Sequence, residues 1–229
     1  MRKDKEGWLE ERLELEPLRA ALLDRKVPKG VGWLYTLGSA TLVVFITLVV
    51  TGIMLSMNYS PSPEHAYDSV LFITEEVPFG WLVRGMHHWA ASAMVILAVL
   101  HGLRVLFMGG YKYPRELTWV VGVLLLLLVL MSAFTGYLLP WDQKAYWATV
   151  VGTNIAGEVP LIGDLLLKLL RGGETLGAVT LTRFYSLHVA IVPVLIASLI
   201  GIHLFLVIRQ GISAPPRRAH HSSSASATK

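Results

Sequence analysis

The sequence contains no cysteine. Disulfide bonds, iron–sulfur clusters held by thiolates and thiol-based catalysis are therefore excluded for this chain. A metal held by the protein would need histidine, methionine or carboxylate ligands instead. The histidines, of which there are eight, are thus the first candidates for a functional site.

Charged residues are scarce as well. They make up 16% of the 229 residues, whereas hydrophobic residues make up 54%, and soluble proteins carry charge on about a quarter of their residues. The apolar residues cluster in blocks of about 20, the length with which an α-helix crosses a bilayer. We therefore expect an all-α, integral membrane four-helix bundle. The predicted spans run from about Trp33 to Met57, Trp81 to Phe107, Leu117 to Leu139 and Phe184 to Ile208.

The chain divides into three parts. Residues 1–30 alternate acids, bases and leucines and show no cleavable signal peptide. They predict a cytoplasmic arm, either solvated or lying on the membrane surface as an amphipathic helix. Residues 31–213 form the predicted four-transmembrane-helix domain. Residues 214–229 are rich in Ser, Ala, Pro and basic residues, which predicts a disordered tail.

Two connections between the spans are long. The first, over residues 58–78, contains Pro61 and Pro63 and is predicted to be a polar loop. The second, over residues 141–183, is semi-polar and is predicted to contain short helices near 143–151 and 161–171.

Lysine and arginine predict the orientation, because they concentrate on the cytoplasmic side of a membrane protein. They are frequent in the arm before the first span, in the turn after the second span and after the fourth span, and the loop over 58–78 has none. Both termini are therefore expected in the cytoplasm. The net charge of +4 reflects this topology and gives no reason to expect nucleic-acid binding.

Four histidines lie within the predicted spans. His87 and His101 are fourteen residues apart in the second span, and His188 and His203 are fifteen apart in the fourth. Fourteen residues turn an α-helix by about −40° net and fifteen by about +60°, so each pair stays roughly on one face, about 21–23 Å apart. The two spans are predicted to be parallel, which puts His87 level with His188 and His101 level with His203. Two such pairs at two depths are what two bis-histidine haems require.

A single buried histidine is usually only a satisfied side chain, but an ionisable residue in a spanning helix is by default a functional candidate. Four of them paired in depth make coincidence an unfavourable explanation. His88 points about 100° away from His87 and is not a second ligand to the same iron. His65, His220 and His221 lie in loop or tail and are predicted to be inert.

Glycines repeat the histidine spacing. Gly38 and Gly52 in the first span are fourteen residues apart, as are Gly122 and Gly136 in the third. Glycine allows another group to approach the backbone closely, so flat macrocycles are expected to press on these four positions. Ordinary packing of small residues between helices is the alternative.

Four arginines are candidates for binding haem propionates. Arg84 lies three residues before His87, Arg104 lies three after His101, and Arg115 and Arg183 lie at the ends of the third and fourth spans. Snorkelling and the positive-inside rule offer an alternative explanation. That alternative is weak for Arg84 and Arg183, because they lie on the side with few cations.

At these residues the chain resembles the N-terminal half of cytochrome b in its short, split form, which includes cytochrome b6 and the cytochrome b subunit of bacterial menaquinol–cytochrome c reductases. The resemblance extends from about Trp8 to Ser213. The matching stretches are GMHHW (85–89), YPRELTW (113–119), TGYLLPWD (135–142), LTRFYSLH (181–188) and QGIS (210–213). The adjacent His87 and His88 look more like the menaquinol branch.

The resemblance implies a haem b subunit of a bc-type quinol oxidoreductase in respiratory or photosynthetic electron transport. Two b-type haems would be held by His87 with His188 on the positive side and by His101 with His203 on the cytoplasmic side. Quinol would be oxidised beside Pro140 to Val151. One electron would pass to a Rieske iron–sulfur protein and the other through both haems to a quinone on the cytoplasmic side. The implied partners also include a c-type cytochrome, a small subunit with the C-terminal half of cytochrome b, and a second copy of the complex.

The chain departs from the family pattern at two points. The short form commonly has a cysteine before the first span that tethers a third, c-type haem, and Thr36 stands at that position here. A hydroxyl cannot form the thioether. The family's Pro-Glu-Trp-Tyr segment is also absent from the sequence, so the quinol site of this chain is expected to be incomplete on its own.

Two other functions fit a helical membrane protein with buried histidines. A transporter or channel would use them as a proton relay and would show no visible absorption band. A di-haem anchor of a dehydrogenase would carry haems but have no iron–sulfur partner.

Overall fold

A computed structural model describes residues 31–213, and the structural statements below concern that range. Every regular element in it is helical. Four helices are long and apolar enough to cross a membrane, namely Trp33–Ser56, Gly80–Phe107, Glu116–Leu138 and Ala178–Gln210. The prediction of an all-α membrane protein with four spans is therefore confirmed. The predictions for residues 1–30 and 214–229 lie outside the described residues.

Eight α-helices follow one another along residues 31–213. They are α1 (Leu37–Ser56, after a 3-10 turn at Trp33–Thr36), α2 (Ala66–Glu75), α3 (Gly80–Phe107), α4 (Glu116–Leu138), α5 (Gln143–Gly157), α6 (Gly163–Arg171), α7 (Ala178–Ser186) and α8 (Val192–Gln210). A wide π-helical turn, Leu187–Ile191, joins α7 to α8. Helices α1, α3 and α4 form the first three spans, and α7, the wide turn and α8 together form the fourth.

The centre of the bundle is a layer of apolar side chains from all four spans. It comprises Phe45 of α1, Met94 of α3, Val129 of α4, and Val192 and Ile196 of α8, all of them buried. Many other large apolar side chains on the spans are exposed. Because the spans are apolar on their outer faces as well as their inner ones, their surroundings must be lipid.

The connection between the first two spans is more ordered than predicted. The prediction of a polar loop over 58–78 is wrong for Ala66–Glu75, which forms α2. Ala66 and Leu138 belong to a second buried apolar cluster with Leu181 and Phe184. This cluster anchors α2 to the ends of the third and fourth spans, and the helix is therefore stabilised by packing rather than by its own propensity.

Tyr59 fastens the start of the same connection. Its hydroxyl donates a hydrogen bond of 2.7 Å to the carbonyl oxygen of Leu139, and its ring stacks on that of Tyr185 with centroids 5.5 Å apart. Burial, together with the neighbouring Tyr185, raises the pKa of Tyr59 above its ordinary value. The phenol therefore stays protonated and remains a hydrogen-bond donor.

The connection between the third and fourth spans contains the two short helices that were predicted. Helix α5 extends to Gly157 rather than ending near Val151, and the second runs over Gly163–Arg171. The Asp142 carboxylate caps α5 by accepting a 2.7 Å hydrogen bond from the backbone N–H of Ala145. The two helices form the α5–α6 hairpin that lies before the fourth span.

The fourth span begins earlier than predicted. Helix α7 starts at Ala178 rather than near Phe184. Thr180 explains the early start, because its hydroxyl donates to the carbonyl oxygen of Arg171 at 2.5 Å and also accepts from the backbone N–H of Gly177 at 3.1 Å. The first turn of α7 is thereby tied to the end of α6.

Candidate functional site

The structure brings the four span histidines together in two pairs. The ring centroids of His87 and His188 are 6.1 Å apart, with the ring planes at 77°. Those of His101 and His203 are 6.5 Å apart, with the planes at 76°. These are the same two pairs that the residue spacing predicts.

The separation within each pair suits a shared metal ion. Two imidazoles bonded to one metal through bonds of about 2.0 Å have ring centroids roughly 6 Å apart. Each pair offers only two nitrogens, and residues 31–213 contain no group of three or more His, Asp or Glu side chains placed to hold a metal ion. A macrocycle such as that of a haem would supply the remaining ligands.

Each histidine lies against one of the four glycines. A Cβ atom on Gly38 would lie 3.0 Å from Cε1 of His101, and one on Gly52 would lie 3.2 Å from Cε1 of His87. The corresponding distance from Gly122 to His203 is 3.4 Å, and a Cβ on Gly136 would overlap the ring of His188. The missing side chains therefore make room for the imidazoles. Contact of a macrocycle with these glycines stays a prediction.

The apolar layer separates the two pairs. Phe45 lies halfway between Gly38 and Gly52 in the sequence, and Met94 lies halfway between the two histidines of α3. One of the two buried apolar clusters thus lies between the two histidine levels. Each level is left with imidazoles and glycines at its centre.

Hydrogen bonds fix the ring nitrogens of the pair near the α5–α6 hairpin. His188 Nδ1 lies 2.9 Å from the carbonyl oxygen of Ser132, and a carbonyl only accepts, so Nδ1 carries the proton. His87 Nδ1 lies 2.9 Å from Oγ1 of Thr51, whose own hydrogen is donated to the carbonyl oxygen of Thr47 at 2.7 Å. In both rings Nε2 is left with a free lone pair, the form that binds a metal.

The other pair is held differently. The Nδ1 atoms of His101 and His203 are buried and make no hydrogen bond of ordinary geometry within the described range, and the backbone of Thr118 is the neighbouring acceptor of His203. Packing against Gly38 and Gly122 sets the positions of these rings. The two sites therefore differ in the hydrogen bonding of their imidazoles, because both rings of the pair near the hairpin have an acceptor at 2.9 Å.

Thr51 and Ser132 were missed by sequence reasoning. Neither is an unusual residue for a spanning helix, since a hydroxyl usually bonds to the backbone one turn earlier, as Thr51 also does. Their positions one residue before Gly52 and one turn before Gly136 are the only signals that could have identified them.

His88 lies outside both pairs, as predicted. Its side chain is exposed and packs edge-on against Trp89, with ring centroids 5.6 Å apart. His65 precedes the first turn of α2 and makes no side-chain cap bond there. His220 and His221 lie outside the described residues.

The four candidate arginines have different surroundings. Arg84 donates to Oγ1 of Thr74 at 3.2 Å. Arg115 donates to the carbonyl oxygen of Gly211 at 3.1 Å, and Arg183 donates to that of Leu169 at 2.7 Å. The last two hold the ends of α8 and α6. Their roles toward a haem propionate stay predictions.

Arg104 differs from the other three because part of its guanidinium is unpaired. Its Cζ atom lies 4.6 Å from the centroid of the Tyr35 ring, a cation–π distance. Its Nε and the hydroxyl of Tyr35 are both buried without a hydrogen-bond partner in the described part of the chain. The two groups leave donors available at the level of His101 and His203.

A buried arginine that sequence reasoning also missed stabilises the α5–α6 hairpin. Arg171 is 8% exposed. Its guanidinium donates to Oγ1 of Thr153 at 2.8 Å, Oδ1 of Asn154 at 2.7 Å and the carbonyl oxygens of Val150 and Glu174 at 3.1 and 3.3 Å. These neutral acceptors satisfy the buried cation and fasten α6 to α5.

Known proteins share this architecture and sequence. The profile of the family described as "Cytochrome b/b6/petB" matches residues 22–211. The chain belongs to the cytochrome b family. The resemblance inferred from the five motifs is confirmed.

Its relatives include cytochrome b6 proteins of nearly equal length. The chain is 45% identical over 208 residues to cytochrome b6 of Synechococcus sp. (strain JA-3-3Ab), covering 91% of this chain and 97% of the relative. It is 43% identical to cytochrome b6 of Prochlorococcus marinus (strain MIT 9303), covering 95% of that relative. This similarity supports the predicted assignment to the short form of cytochrome b.

A solved structure described as "Hyperthermophilic respiratory Complex III" has the same fold. The TM-score is 0.86 at 34% sequence identity, and the match covers 94% of this chain. This chain spans 58% of the length of that one. The family and this neighbour confirm the prediction of a cytochrome b subunit of a bc-type quinol oxidoreductase in electron transport.

The departure at Thr36 can be located in the structure. The Thr36 hydroxyl donates to the carbonyl oxygen of Trp33 at 2.7 Å within the 3-10 turn. It therefore completes the local backbone bonding just before α1. We still predict that no third haem is covalently attached at this position, because the chain has no cysteine.

Proposed function

We propose that the chain binds two b-type haems and carries electrons across the membrane between a quinol-oxidising and a quinone-reducing site. His87 with His188 would ligate one iron, and His101 with His203 the other. The observation that carries the proposal is the pairing of these rings at two depths in a member of the cytochrome b family. A haem, when bound, supplies a one-electron redox centre whose potential depends on ligation, burial and nearby charge.

The residues of the chain would orient and insulate these centres. Thr51 and the Ser132 carbonyl hold the Nδ1 protons of His87 and His188, so that each Nε2 faces inward as a ligand. The glycines at 38, 52, 122 and 136 let the rings lie close to α1 and α4. The apolar layer between the pairs excludes water from the interior of the bundle.

Cations would bind the haem propionates. We assign this role to Arg84 and Arg183 on the positive side and to Arg104 and Arg115 on the cytoplasmic side. Arg104 has the strongest support, because its Nε is buried without a partner in the described range. An anionic group would satisfy that donor and neutralise its charge.

The quinol site would lie on the positive side beside Pro140 to Val151, where α5 begins. It would be completed by a separate small subunit carrying the C-terminal half of cytochrome b. The near-complete match to cytochrome b6 chains supports this division. A Rieske iron–sulfur protein would take the first electron and a c-type cytochrome would follow it.

Several finer assignments belong to the same proposal. The complex is a dimer in a bacterial cytoplasmic membrane, with both termini in the cytoplasm, and menaquinol is its quinol. The scarcity of lysine and arginine between the first two spans supports the orientation. The adjacent His87 and His88 support menaquinol, because they resemble that branch of the family.

A pyridine haemochrome assay on the purified native complex tests the proposal. We expect two protohaems for each copy of this chain, both reduced by quinol. His88→Leu serves as a matched control and should retain both. Fewer than two haems in the intact complex would contradict the proposal, and the absence of any visible band would favour the transporter or channel instead.

Two further measurements address the finer assignments. Haem staining after a denaturing gel should leave the band of this chain blank, because no thioether can form. Quinol oxidation that is insensitive to positive-side inhibitors and needs no iron–sulfur protein would favour the dehydrogenase anchor.

A further inference from the structure

The fourth span is not one continuous α-helix. Between α7 and α8 the backbone N–H of Val192 bonds to the carbonyl oxygen of Leu187, five residues earlier rather than four. This bond closes the wide turn Leu187–Ile191, which contains His188. Single turns of this kind place one extra residue in an α-helix and often occur at functional sites.

The histidine spacing of the fourth span is also longer than every related spacing. His188 and His203 are fifteen residues apart, whereas His87 and His101 are fourteen apart. The two α1 glycines that face the α3 histidines, and the two α4 glycines that face the fourth-span histidines, are also fourteen apart. One extra residue in an α-helix turns the following side chains by about 100° and advances them by about 1.5 Å. In a regular helix, each fourth-span histidine would still lie roughly on the inner face, but the directions of the two side chains would differ by about 100° from those that partners spaced by fourteen require.

The structure nevertheless matches both of them. His188 lies at Gly136 and His203 lies at Gly122, and both face a histidine of α3 at nearly equal centroid distances. An extra residue must therefore be accommodated between them without added rotation. The wide turn is the place in this span where the backbone does so.

Pro193 follows directly after the first residue of α8. It has no backbone N–H, and in an α-helix its ring would clash with the carbonyl group four residues earlier, which belongs to Val189. A tighter turn through Val189 is thereby disfavoured. The proline thus favours the wide turn at the place where the extra residue lies.

We propose that the wide turn Leu187–Ile191 absorbs the additional residue between His188 and His203, and that Pro193 is a positioning residue that keeps this turn open. His188 is thereby directed toward His87 in register with His203 and His101. The bond from His188 Nδ1 to the Ser132 carbonyl then fixes the ring on α4. This inference rests on the proposed role of the two pairs as haem ligands.

Three variants of the whole complex test the inference. Pro193→Ala restores the N–H and removes the clash. The same substitution combined with deletion of Ala190 shortens the histidine spacing to that of α3. Val194→Ala is a matched control, because Val194 follows Pro193 and is 64% exposed. Each variant is examined by haem content, redox titration and electron paramagnetic resonance of the oxidised haems.

Pro193→Ala should affect one haem only. We expect loss of the His87/His188 haem, or a shift in its midpoint potential and resonance signal, while the His101/His203 haem matches the unaltered complex. Adding the deletion should restore two haems and signals close to those of the unaltered complex. A purely structural kink would not be repaired by removing a residue.

Other outcomes overturn the inference. If the haem content, midpoint potentials and resonance signals of Pro193→Ala were the same as those of Val194→Ala, Pro193 would have no positioning role. A deletion variant that loses the His87/His188 haem, or does not assemble when Val194→Ala does, would show that the turn does not absorb a residue. The proposed function is tested separately, because it fails if the unaltered complex lacks two haems.

Discussion

Replacing Gly136 with alanine would place a methyl group where the imidazole of His188 now lies. The same substitution at the other three glycines meets less obstruction, with Cβ to Cε1 distances of 3.0 Å at Gly38, 3.2 Å at Gly52 and 3.4 Å at Gly122. The last of these is an ordinary van der Waals contact. We therefore expect a graded series in which Gly136→Ala is the most damaging change and Gly122→Ala the least.

Two opposing effects set the magnitude. Alanine is favoured over glycine inside a helix by about 0.5–1 kcal/mol, whereas forcing extra volume into a packed site costs about 1–3 kcal/mol. For Gly136→Ala the cost of the extra volume prevails, and the free energy of unfolding should fall by a net amount on the order of 1–2 kcal/mol. For Gly122→Ala the first effect prevails, and the variant should be as stable as the parent or slightly more so.

Thermal unfolding of the detergent-solubilised complex, followed by haem absorbance, measures the series. A loss of that size lowers Tm by roughly 2–8 °C for a domain of this length. Gly201→Ala is the control, because a Cβ there meets nothing within 4 Å. If Gly122→Ala and Gly136→Ala were equally damaging, or their order reversed, close contact with the histidines would not be the reason for glycine at these positions.

Three further changes have definite expected outcomes. Thr51→Val removes the acceptor for His87 Nδ1, so the midpoint potential of the haem at that pair should rise in a redox titration. Thr51→Ser keeps the hydroxyl and should return the potential to that of the parent. An unchanged potential in Thr51→Val would rule out the hydrogen bond as a tuning element. Arg171→Met leaves the acceptors of the α5–α6 hairpin unpaired, so the stability of the hairpin should fall by about 2–4 kcal/mol. The fall should appear as faster proteolysis of the hairpin, and Arg171→Lys should prevent it only in part. Unchanged proteolysis would contradict this role. His101→Leu should remove one haem and leave the other reducible by quinol but slow to reoxidise, whereas His88→Leu should retain both; two intact haems in His101→Leu would show the pairing to be wrong.

The spans and the histidine pairs could be predicted because both depend on regular helical geometry. A run of about 20 apolar residues is sufficient to indicate a span, and residues near fourteen apart return to one face of a helix. Local rules of this kind need no knowledge of the neighbouring elements. They located His87, His101, His188 and His203 before any contact was known.

The features that were missed depend on contacts between distant segments. Helix α2 is only ten residues long and packs in a cluster with Leu138 and Phe184, and these distant partners cannot be read from the short segment after two prolines. The role of Thr51 depends on a histidine 36 positions away. Pro193 alone predicts a disturbed helix, but the form of the disturbance is determined by the partners of His188.

The apolar layer around Phe45, Met94 and Val129 also has an electrical consequence. The two histidine levels that it separates are about 21 Å apart along α3, which is roughly 70% of a hydrocarbon core of about 30 Å. Displacing one elementary charge across a whole membrane requires about 2.3 kcal/mol per 100 mV. An electron moving between the two levels would therefore do work of about 1.6 kcal/mol per 100 mV against the membrane potential. The layer would then be the insulating dielectric between two charged levels, and each electron that crossed it would help to charge the membrane.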